Sequence, residues 1–396
     1  MTNRMSSITS PRLQRLQSDI QSLGSNALYI FWKEIKRQGT PIIEPSTEDY
    51  SLVTFLWRDN GLARNVAVIQ DWGTDGIREH HMARLPHSDV WYLTREMRSD
   101  TRTTYQLSPS SSLDPAEPAP YELDPLNSKT FTAYLSETGN HILFSLLELP
   151  HAPELPWRHT RPIKAGTVDL HAPFADERRI WIYMPATPVT TPLPMLFVFD
   201  GRLYKDQLKL PAMLNYLIEH GQIPPVAALL IDNSDRNELL CQPEFADYIA
   251  NQVIPWLRTM YPITQDAHQT IILGSSFGGL AATFLAFKYP HIFGTVLSQT
   301  GWFRWHPEGD PEHHWLARQV VAAPKLSIRF WLQVGNLEIA QMRDGGPSQL
   351  AANQYFRDVL QKRGYFVSYL EYSGGHDASS LEFPLAQGLI EILKNP

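Results

Sequence analysis

Residues 274–278 read Gly-Ser-Ser-Phe-Gly, which places Ser276 at the centre of a Gly-x-Ser-x-Gly pattern. A serine in this pattern is typical of enzymes in which the hydroxyl attacks a carbonyl carbon and forms an acyl intermediate. The apolar run 270–273 precedes the pattern and the helix-like run 279–287 follows it. A serine on a turn between a strand and a helix is a nucleophile elbow, so the segment predicts a serine hydrolase.

A serine hydroxyl is a weak nucleophile until a base removes its proton. In the α/β-hydrolases the nucleophile comes first in the chain, the acid second and the histidine last. His376 lies in a Gly-Gly-His-Asp segment between the strand-like run 366–372 and the helix-like run 385–393. We therefore predict that His376 is the general base. Its neighbour Asp377 is expected to have a structural or substrate-facing role, because adjacent residues rarely adopt triad geometry.

The acid of such a triad orients the imidazole and follows an earlier strand of the sheet. Glu338 comes shortly after the apolar run 328–334 and is the predicted acid. Asp344, a few residues further on, is a weaker alternative that the sequence leaves open.

The negative charge that develops on the attacked carbonyl oxygen requires two N–H donors. One comes from the residue after the nucleophile, here Phe277, and the other from the loop after the third strand of the fold. That loop follows the apolar run 195–199, so the backbone of Gly201 or Arg202 is predicted to supply the second donor.

The C-terminal part of the chain has the pattern needed to position these residues. Short, continuously apolar runs alternate with helical patterns such as 245–260 and 279–289, which predicts a parallel sheet buried on both faces. The predicted strands include 179–184, 195–199, 226–231 and 270–273.

The N-terminal part has a different pattern. Spaced apolar positions over 12–38 predict one or two amphipathic helices. Strand-like pieces follow from residue 50, and Asn60-Gly61 is a strong turn signal between two of them. This spacing is typical of a β-sandwich. The predicted strands are 51–57, 65–69, 89–94 and 103–107.

These patterns predict an α/β-hydrolase fold with a mostly parallel sheet, preceded by a β-sandwich domain. The Pro-rich stretch 150–162 is expected to link the two. The predicted domains are therefore 1–155, with a helical lead-in and the sandwich, and 156–396, with the catalytic residues.

Composition narrows the functional classes. The formal net charge of −7 argues against a surface-wide nucleic-acid interface. A single cysteine, Cys241, excludes an intrachain disulfide. The chain contains neither a signal-peptide pattern nor an apolar run long enough to span a membrane. We expect a cytoplasmic protein without membrane or nucleic-acid partners.

The motifs, in this order, resemble the enterochelin (enterobactin) esterases. The similarity spans both halves of the chain. It rests on residues 54–59, 88–91, 124–127, 200–201, 231–232, 236–239, 274–280, 297–301 and 374–377. The resemblance implies an immunoglobulin-like sandwich in the N-terminal half and a cytoplasmic enzyme that hydrolyses the ester bonds of ferric enterobactin-type catecholate siderophores. It also implies that Ser276 forms an acyl-enzyme resolved by a water that His376 activates, with Glu338 at the family's acid position.

A ferric tris-catecholate has three negative charges and three aromatic rings, so the implied substrate calls for cations and flat apolar surfaces. Arg202, Arg236 and Arg304 are predicted to pair with catecholate oxygens, while Trp302 or Trp305 stacks on a ring. Iron is expected to arrive on the substrate, and no cofactor or protein-bound metal is expected. A cluster of histidines and carboxylates over 306–314 lacks the spacing of a metal site.

Two other functions remain open at this point. The fold and triad do not select the acyl group, so a generic carboxylesterase or thioesterase is the first alternative. A non-catalytic carbohydrate- or partner-binding protein is the second, because β-sandwiches often bind ligands and hydrolase folds can lose catalysis.

Overall fold

A computed structural model provides the structure of the protein. It describes residues 9–70, 80–112, 119–134, 141–174, 176, 178–188, 190–233, 235–340 and 345–394. The chain divides into two compact units, with the division between Pro153 and Glu154. In the described part of the chain, no helix is both long enough and apolar enough to cross a membrane.

The first unit begins with two amphipathic helices, α1 (Pro11–Leu23) and α2 (Ser25–Gln38). The side chain of Ser10 caps α1 by accepting a hydrogen bond from the N–H of Leu13, and Pro11 occupies the first helical position, where no N–H is needed. The apolar faces of both helices pack onto side chains of the following strands. Both helices fall within the region predicted to be helical.

Eight strands of the first unit form two four-stranded antiparallel sheets. One has the order β1-β2-β5-β4 and the other β3-β6-β8-β7. The strands are β1 (Ile42–Pro45), β2 (Tyr50–Arg58), β3 (Asn65–Ile69), β4 (Ala83–Arg84), β5 (Val90–Arg98), β6 (Arg102–Ser110), β7 (Thr130–Tyr134) and β8 (His141–Glu148). All four predicted strands of this region are present as β2, β3, β5 and β6. The β6 strand extends to Ser110, three residues beyond the predicted end at residue 107.

The second unit contains an eight-stranded sheet with the order β16-β15-β14-β13-β11-β12-β10-β9. The six strands from β11 to β16 are parallel to one another, and β10 pairs antiparallel with both β12 and the edge strand β9. The strands are β9 (Thr167–His171), β10 (Ile180–Met184), β11 (Met195–Val198), β12 (Ala227–Ile231), β13 (Thr270–Ser275), β14 (Thr295–Gln299), β15 (Arg329–Gly335) and β16 (Phe366–Tyr372).

Helices cover both faces of this sheet. They are α3 (Leu210–Glu219), α4 (Pro243–Tyr248), α5 (Ile254–Met260), α6 (Phe277–Lys288), α7 (Trp315–Ala322), α8 (Gln349–Lys362) and α9 (Ala378–Lys394), with π-helical turns at Leu203–Gln207 and Ile249–Val253. Alternate residues of the central strands belong to two separate cores. Phe197 and Ile272 pack with α4 to α8 on one face, and Leu196 and Ile271 pack with α3 and α9 on the other. This two-sided burial explains why the strands are continuously apolar.

Candidate active site

Ser276 occupies the turn between β13 and α6, as predicted. Its backbone has φ 54° and ψ −117°, a conformation that costs free energy in a residue other than glycine. Three hydrogen bonds hold it there. The N–H of Ser276 donates to the Gln299 carbonyl at 3.0 Å, and its own carbonyl accepts from the N–H groups of Leu280 at 3.1 Å and Trp302 at 3.0 Å. The surrounding structure therefore determines the serine's conformation.

The two glycines of the motif allow the strand and the helix to approach each other at this turn. A Cβ atom on Gly274 would lie 2.5 Å from the backbone of Gly278. A Cβ atom on Gly278 would lie 3.0 Å from Oδ2 of Asp200. Larger residues at either position would push apart the elements that hold Ser276.

Glu338 and His376 are in direct contact. The Nδ1 atom of His376 lies 2.7 Å from Oε2 of Glu338, a carboxylate that is 3% exposed. Because the carboxylate accepts, Nδ1 donates, which leaves Nε2 of the imidazole available to accept a proton. The alternative acid, Asp344, lies outside the described residues.

Three further donors orient the Glu338 carboxylate. The Gly335 N–H donates to Oε1 at 2.8 Å, the Tyr372 hydroxyl donates to Oε1 at 3.4 Å, and the Thr300 hydroxyl donates to Oε2 at 2.5 Å. The Thr300 hydroxyl is also 3.1 Å from Nδ1 of His376. Sequence reasoning missed Thr300, although it lies in the family-like segment 297–301.

The chain positions of these residues place them at one edge of the sheet. Ser276 directly follows β13, Thr300 follows β14, Glu338 follows β15 and His376 follows β16. These four strands are adjacent and parallel, so their carboxyl ends meet at the same edge, where α/β proteins place their sites.

The loop after β11 contains the second predicted oxyanion segment. Asp200 has φ 52°, and a helical turn starts at Gly201 and continues into the π-helical turn. A Cβ atom on Gly201 would lie 2.8 Å from the Leu230 carbonyl carbon, so glycine is needed for this approach to β12. Phe277 is the first residue of α6. N–H groups at a helix start have no intrahelical acceptor, which makes both segments sources of donors.

Asp200 and Arg236 form an ion pair beside this loop. The Asp200 residue is 8% exposed, and Nη1 of Arg236 lies 3.3 Å from its Oδ1. Burial raises the pKa of the Asp200 carboxyl, and the Arg236 cation opposes this rise. The Arg236 guanidinium also lies 5.2 Å from the centroid of the Phe277 ring. Arg236 therefore contacts both segments that are predicted to supply oxyanion donors.

A buried arginine holds the turn that bears Arg236. The guanidinium of Arg178 donates to both carboxylate oxygens of Glu238, each at 2.7 Å, and Glu238 lies in the same 3₁₀ turn as Arg236. Arg178 itself is 6% exposed and lies over the Phe245 ring. Sequence reasoning did not identify Arg178, because no local pattern shows whether an arginine that precedes a strand is buried or exposed to solvent.

Buried amide side chains connect the strand ends beneath the candidate triad. The Tyr204 hydroxyl donates to Gln299 at 3.0 Å, and Nε2 of Gln299 donates to Gln333 at 2.9 Å and to the Leu381 carbonyl at 2.9 Å. The network joins the π-helical turn to β14, β15 and α9. Satisfied buried networks of this kind rigidify a structure.

The aromatic segment after β14 differs in part from the prediction, which requires the Arg304 guanidinium to be exposed so that it can pair with catecholate oxygens. Trp302 lies at 5.3 Å, edge to face, from Phe277, and the Arg304 guanidinium lies 4.1 Å from the Trp302 ring. Arg304 is only 7% exposed, so its charge is beside Trp302 within the protein. Trp305 packs against Trp315 at 5.4 Å. Arg202 and both tryptophans 302 and 305 are partly exposed.

No group of three or more histidine, cysteine or carboxylate side chains within the described ranges is arranged to hold a metal ion. The cluster over 306–314 is used for other contacts. His314 hydrogen-bonds the Phe303 carbonyl at 3.1 Å, and Glu312 pairs with Arg318 at 2.8 Å.

The elbow, the buried carboxylate and the parallel sheet define a carboxylic ester hydrolase of α/β-hydrolase-like fold, and comparison with known proteins agrees. Residues 172–392 match the Esterase family model, and the chain belongs to this family. Residues 52–158 match the model of the N-terminal region of enterochelin esterase. The resemblance inferred from the motifs is confirmed.

Curated relatives are similar in sequence to this chain over most of their length. An iron(III) salmochelin esterase of Escherichia coli is 28% identical over 98% of this chain and 98% of its own. An iron(III) enterobactin esterase of Dickeya dadantii is 27% identical over 88% of each chain. The solved structure of a Shigella flexneri enterobactin esterase, determined in the presence of enterobactin, has a TM-score of 0.71 and 25% identity, covering 90% of this chain and 96% of that one.

Proposed function

We propose that this protein is a serine esterase that hydrolyses the ester bonds of ferric enterobactin-type catecholate siderophores and thereby releases their iron. The relatives named above act on enterobactin or salmochelin, and both units of this chain match theirs. The observation that supports the chemistry most directly is the 2.7 Å contact between His376 and the buried Glu338, at the sheet edge that also bears the strained Ser276.

In the proposed mechanism, Oγ of Ser276 attacks the ester carbonyl carbon while Nε2 of His376 takes its proton. Glu338 stabilises the imidazolium through Nδ1. The tetrahedral intermediate then collapses, the C–O bond of the ester breaks, and His376 returns the proton to the leaving alkoxide. A water molecule, deprotonated by His376, attacks the acyl-enzyme and releases the acid with Ser276 restored.

The oxyanion of the intermediate is stabilised, in this proposal, by the N–H of Phe277 and by that of Gly201 or Arg202. The Asp200–Arg236 ion pair positions the second donor, because Asp200 directly precedes Gly201 and Arg236 also lies against the Phe277 ring. Loss of a single oxyanion donor typically costs about 3 kcal/mol of transition-state stabilisation.

Substrate recognition is proposed to use the cations and indoles around this edge. Arg202 and the exposed part of Arg236 pair with catecholate oxygens, and Trp302 or Trp305 stacks on a ring. Arg304, which is 7% exposed, acts through Trp302, whose ring its guanidinium covers. Iron is cargo of the substrate in this scheme and takes no part in the hydrolytic step.

We further propose that residues 1–155 and 156–396 are the functional domains, that the two four-stranded sheets of the first form an immunoglobulin-like sandwich, and that the enzyme acts in the cytoplasm. The presence of two four-stranded antiparallel sheets in the first unit supports the sandwich.

Mass-resolved products test the proposal. Purified protein is incubated with ferric enterobactin, iron-free enterobactin and a simple aryl ester, alongside the Ser276→Ala variant. We expect linear dihydroxybenzoyl-serine oligomers from wild type. The Ser276→Ala variant should hydrolyse the esters with a kcat that is at least about 10⁴-fold lower. Turnover of simple esters without turnover of either trilactone would favour the generic carboxylesterase alternative. Wild-type protein that turns over none of the esters would favour the non-catalytic one.

A further inference from the structure

The first unit contains a cavity that the proposed chemistry does not use. Its volume is about 240 Å³. The apolar part of its lining comes from Trp32, Leu56, Trp57, Pro125 and Leu126, and two cations, Lys36 and Arg58, complete it. All of these residues belong to the N-terminal unit, on α2, on β2 and in the segment before β7.

One carboxylate holds two of the lining side chains in place. Oδ1 of Asp89 accepts a hydrogen bond from the indole N–H of Trp32 at 2.7 Å, and its Oδ2 accepts from Nε of Arg58 at 2.9 Å. The Arg58 guanidinium also lies 5.3 Å from the Trp32 ring centroid. The walls of the cavity are therefore preorganised, which lowers the entropic cost of binding a ligand.

The charge of the cavity is positive. Asp89 compensates the charge of Arg58. Lys36 is exposed and pairs with no carboxylate in the described part of the chain. A ligand for this cavity should therefore combine a flat apolar body with one negative charge.

The volume suits a ligand of one ring. A dry engineered cavity of about 150 Å³ accommodates benzene, so about 240 Å³ has room for one ring with small substituents. We propose that this cavity is a binding site for a monocyclic aromatic acid. Its indole, leucine and proline side chains contact the ring, and Lys36 pairs with the acid group.

The dihydroxybenzoyl-serine unit has this chemistry, and its identity as the natural ligand rests on the proposed function. That compound was present in another crystal of the Shigella flexneri enterobactin esterase. In this proposal the N-terminal unit binds a product of the hydrolysis in a cavity lined by its own side chains.

Fluorine NMR of the full-length protein tests the site directly. The chain has 11 tryptophans, so 5-fluorotryptophan labelling gives few resonances, and a Trp57→Phe variant assigns the resonance of Trp57, one of the two tryptophans that line the cavity. Titration with 2,3-dihydroxybenzoate, and separately with dihydroxybenzoyl-serine, should shift the Trp57 resonance with a Kd on the order of 1 mM. The neutral 2,3-dihydroxybenzamide should bind about fivefold more weakly, because it lacks the charge that pairs with Lys36.

Two lysines on the same helix provide matched variants. Lys36→Met, which retains the apolar stem, should raise the Kd about fivefold, whereas Lys33→Met, on an exposed residue outside the cavity lining, should leave it unchanged. An unshifted Trp57 resonance at saturating ligand, or equal Kd values for the two variants, would overturn the site. Ester hydrolysis by Lys36→Met should equal that of wild type. Absence of trilactone hydrolysis in wild type would refute the proposed function but not the binding of aromatic acids.

Discussion

Replacing Arg236 by methionine tests whether the Asp200–Arg236 ion pair positions the oxyanion loop. The variant removes the cation that lies 3.3 Å from the Asp200 carboxylate and 5.2 Å from the Phe277 ring, but keeps an apolar side chain of similar length. We expect a 10- to 100-fold lower kcat, because a displaced Gly201 or Arg202 weakens one oxyanion donor.

The magnitude follows from the burial of the two partners. Breaking a fully buried pair costs about 3–5 kcal/mol, whereas an exposed pair contributes about 1 kcal/mol or less. Asp200 has 8% of its side chain exposed and Arg236 has 29%. An intermediate cost of roughly 1.4–2.7 kcal/mol is therefore expected, which corresponds to about a 10- to 100-fold change in rate if it is expressed in the transition state.

The pH dependence has a definite sign. Burial already raises the pKa of Asp200 from its ordinary value of 3.8, and loss of the cation raises it further. A buried carboxyl with a raised pKa destabilises the folded state as pH rises from the unfolded pKa through the folded pKa. Thermal melts of Arg236→Met should therefore approach those of wild type in acid, where Asp200 is protonated, and fall below them as pH increases. Adding Asp200→Asn should restore part of the stability.

Comparing two substrates shows whether Arg236 positions the oxyanion donor or binds the substrate. A neutral aryl ester has no catecholate for Arg236 to pair with, so a lower kcat on this substrate supports positioning. Arg179→Met is the matched control, because Arg179 pairs with Asp232 at 2.9 Å but is 44% exposed. Full kcat on the neutral ester, with a raised KM only for the ferric siderophore, would refute positioning and leave Arg236 as a substrate contact.

Two other variants test the site. Glu338→Gln should lower kcat about 10³- to 10⁴-fold while leaving the far-ultraviolet spectrum unchanged, because the amide cannot stabilise the imidazolium; an active variant would exclude Glu338 as the acid. Gly274→Ala should lower the melting temperature by several degrees, because the added Cβ would lie 2.5 Å from the Gly278 backbone. Helix α6 cannot move away from this contact without disturbing Ser276. An unchanged melting temperature and unchanged activity would show that the elbow can expand.

Much of the architecture was predictable because it depends on short-range patterns. Continuous apolar runs predicted the central strands, and β11, β12 and β13 lie where those runs do. The elbow was predictable because its strand, serine and helix are contiguous. The helical pattern over 245–260 also formed, although the helix includes a π-helical turn at Ile249–Val253 that periodicity did not reveal.

The candidate site was less predictable where contacts join distant parts of the chain. The order of the motifs predicted Glu338 as the acid and His376 as the base. The Thr300 hydroxyl that donates to Glu338 was not predicted, because Thr300 is 38 residues away from Glu338 and lies in no local motif for this role. Burial was the other difficulty. The sequence predicts that an arginine in a loop is exposed to solvent, but Arg304 and Arg178 are both buried in the folded protein.

The sequence alone determined the class of chemistry, because a nucleophile elbow and the order of serine, acid and histidine are properties of residue type and spacing. Only the tertiary structure decided which side chains support that chemistry. Strand order placed β13, β14, β15 and β16 side by side, so that the Thr300 and Glu338 side chains meet at His376. It also joined the loop after β11 to the turn after β12, where Arg236 contacts Asp200 and Phe277. Such contacts depend on which strands are neighbours, and local patterns contain no information about that order.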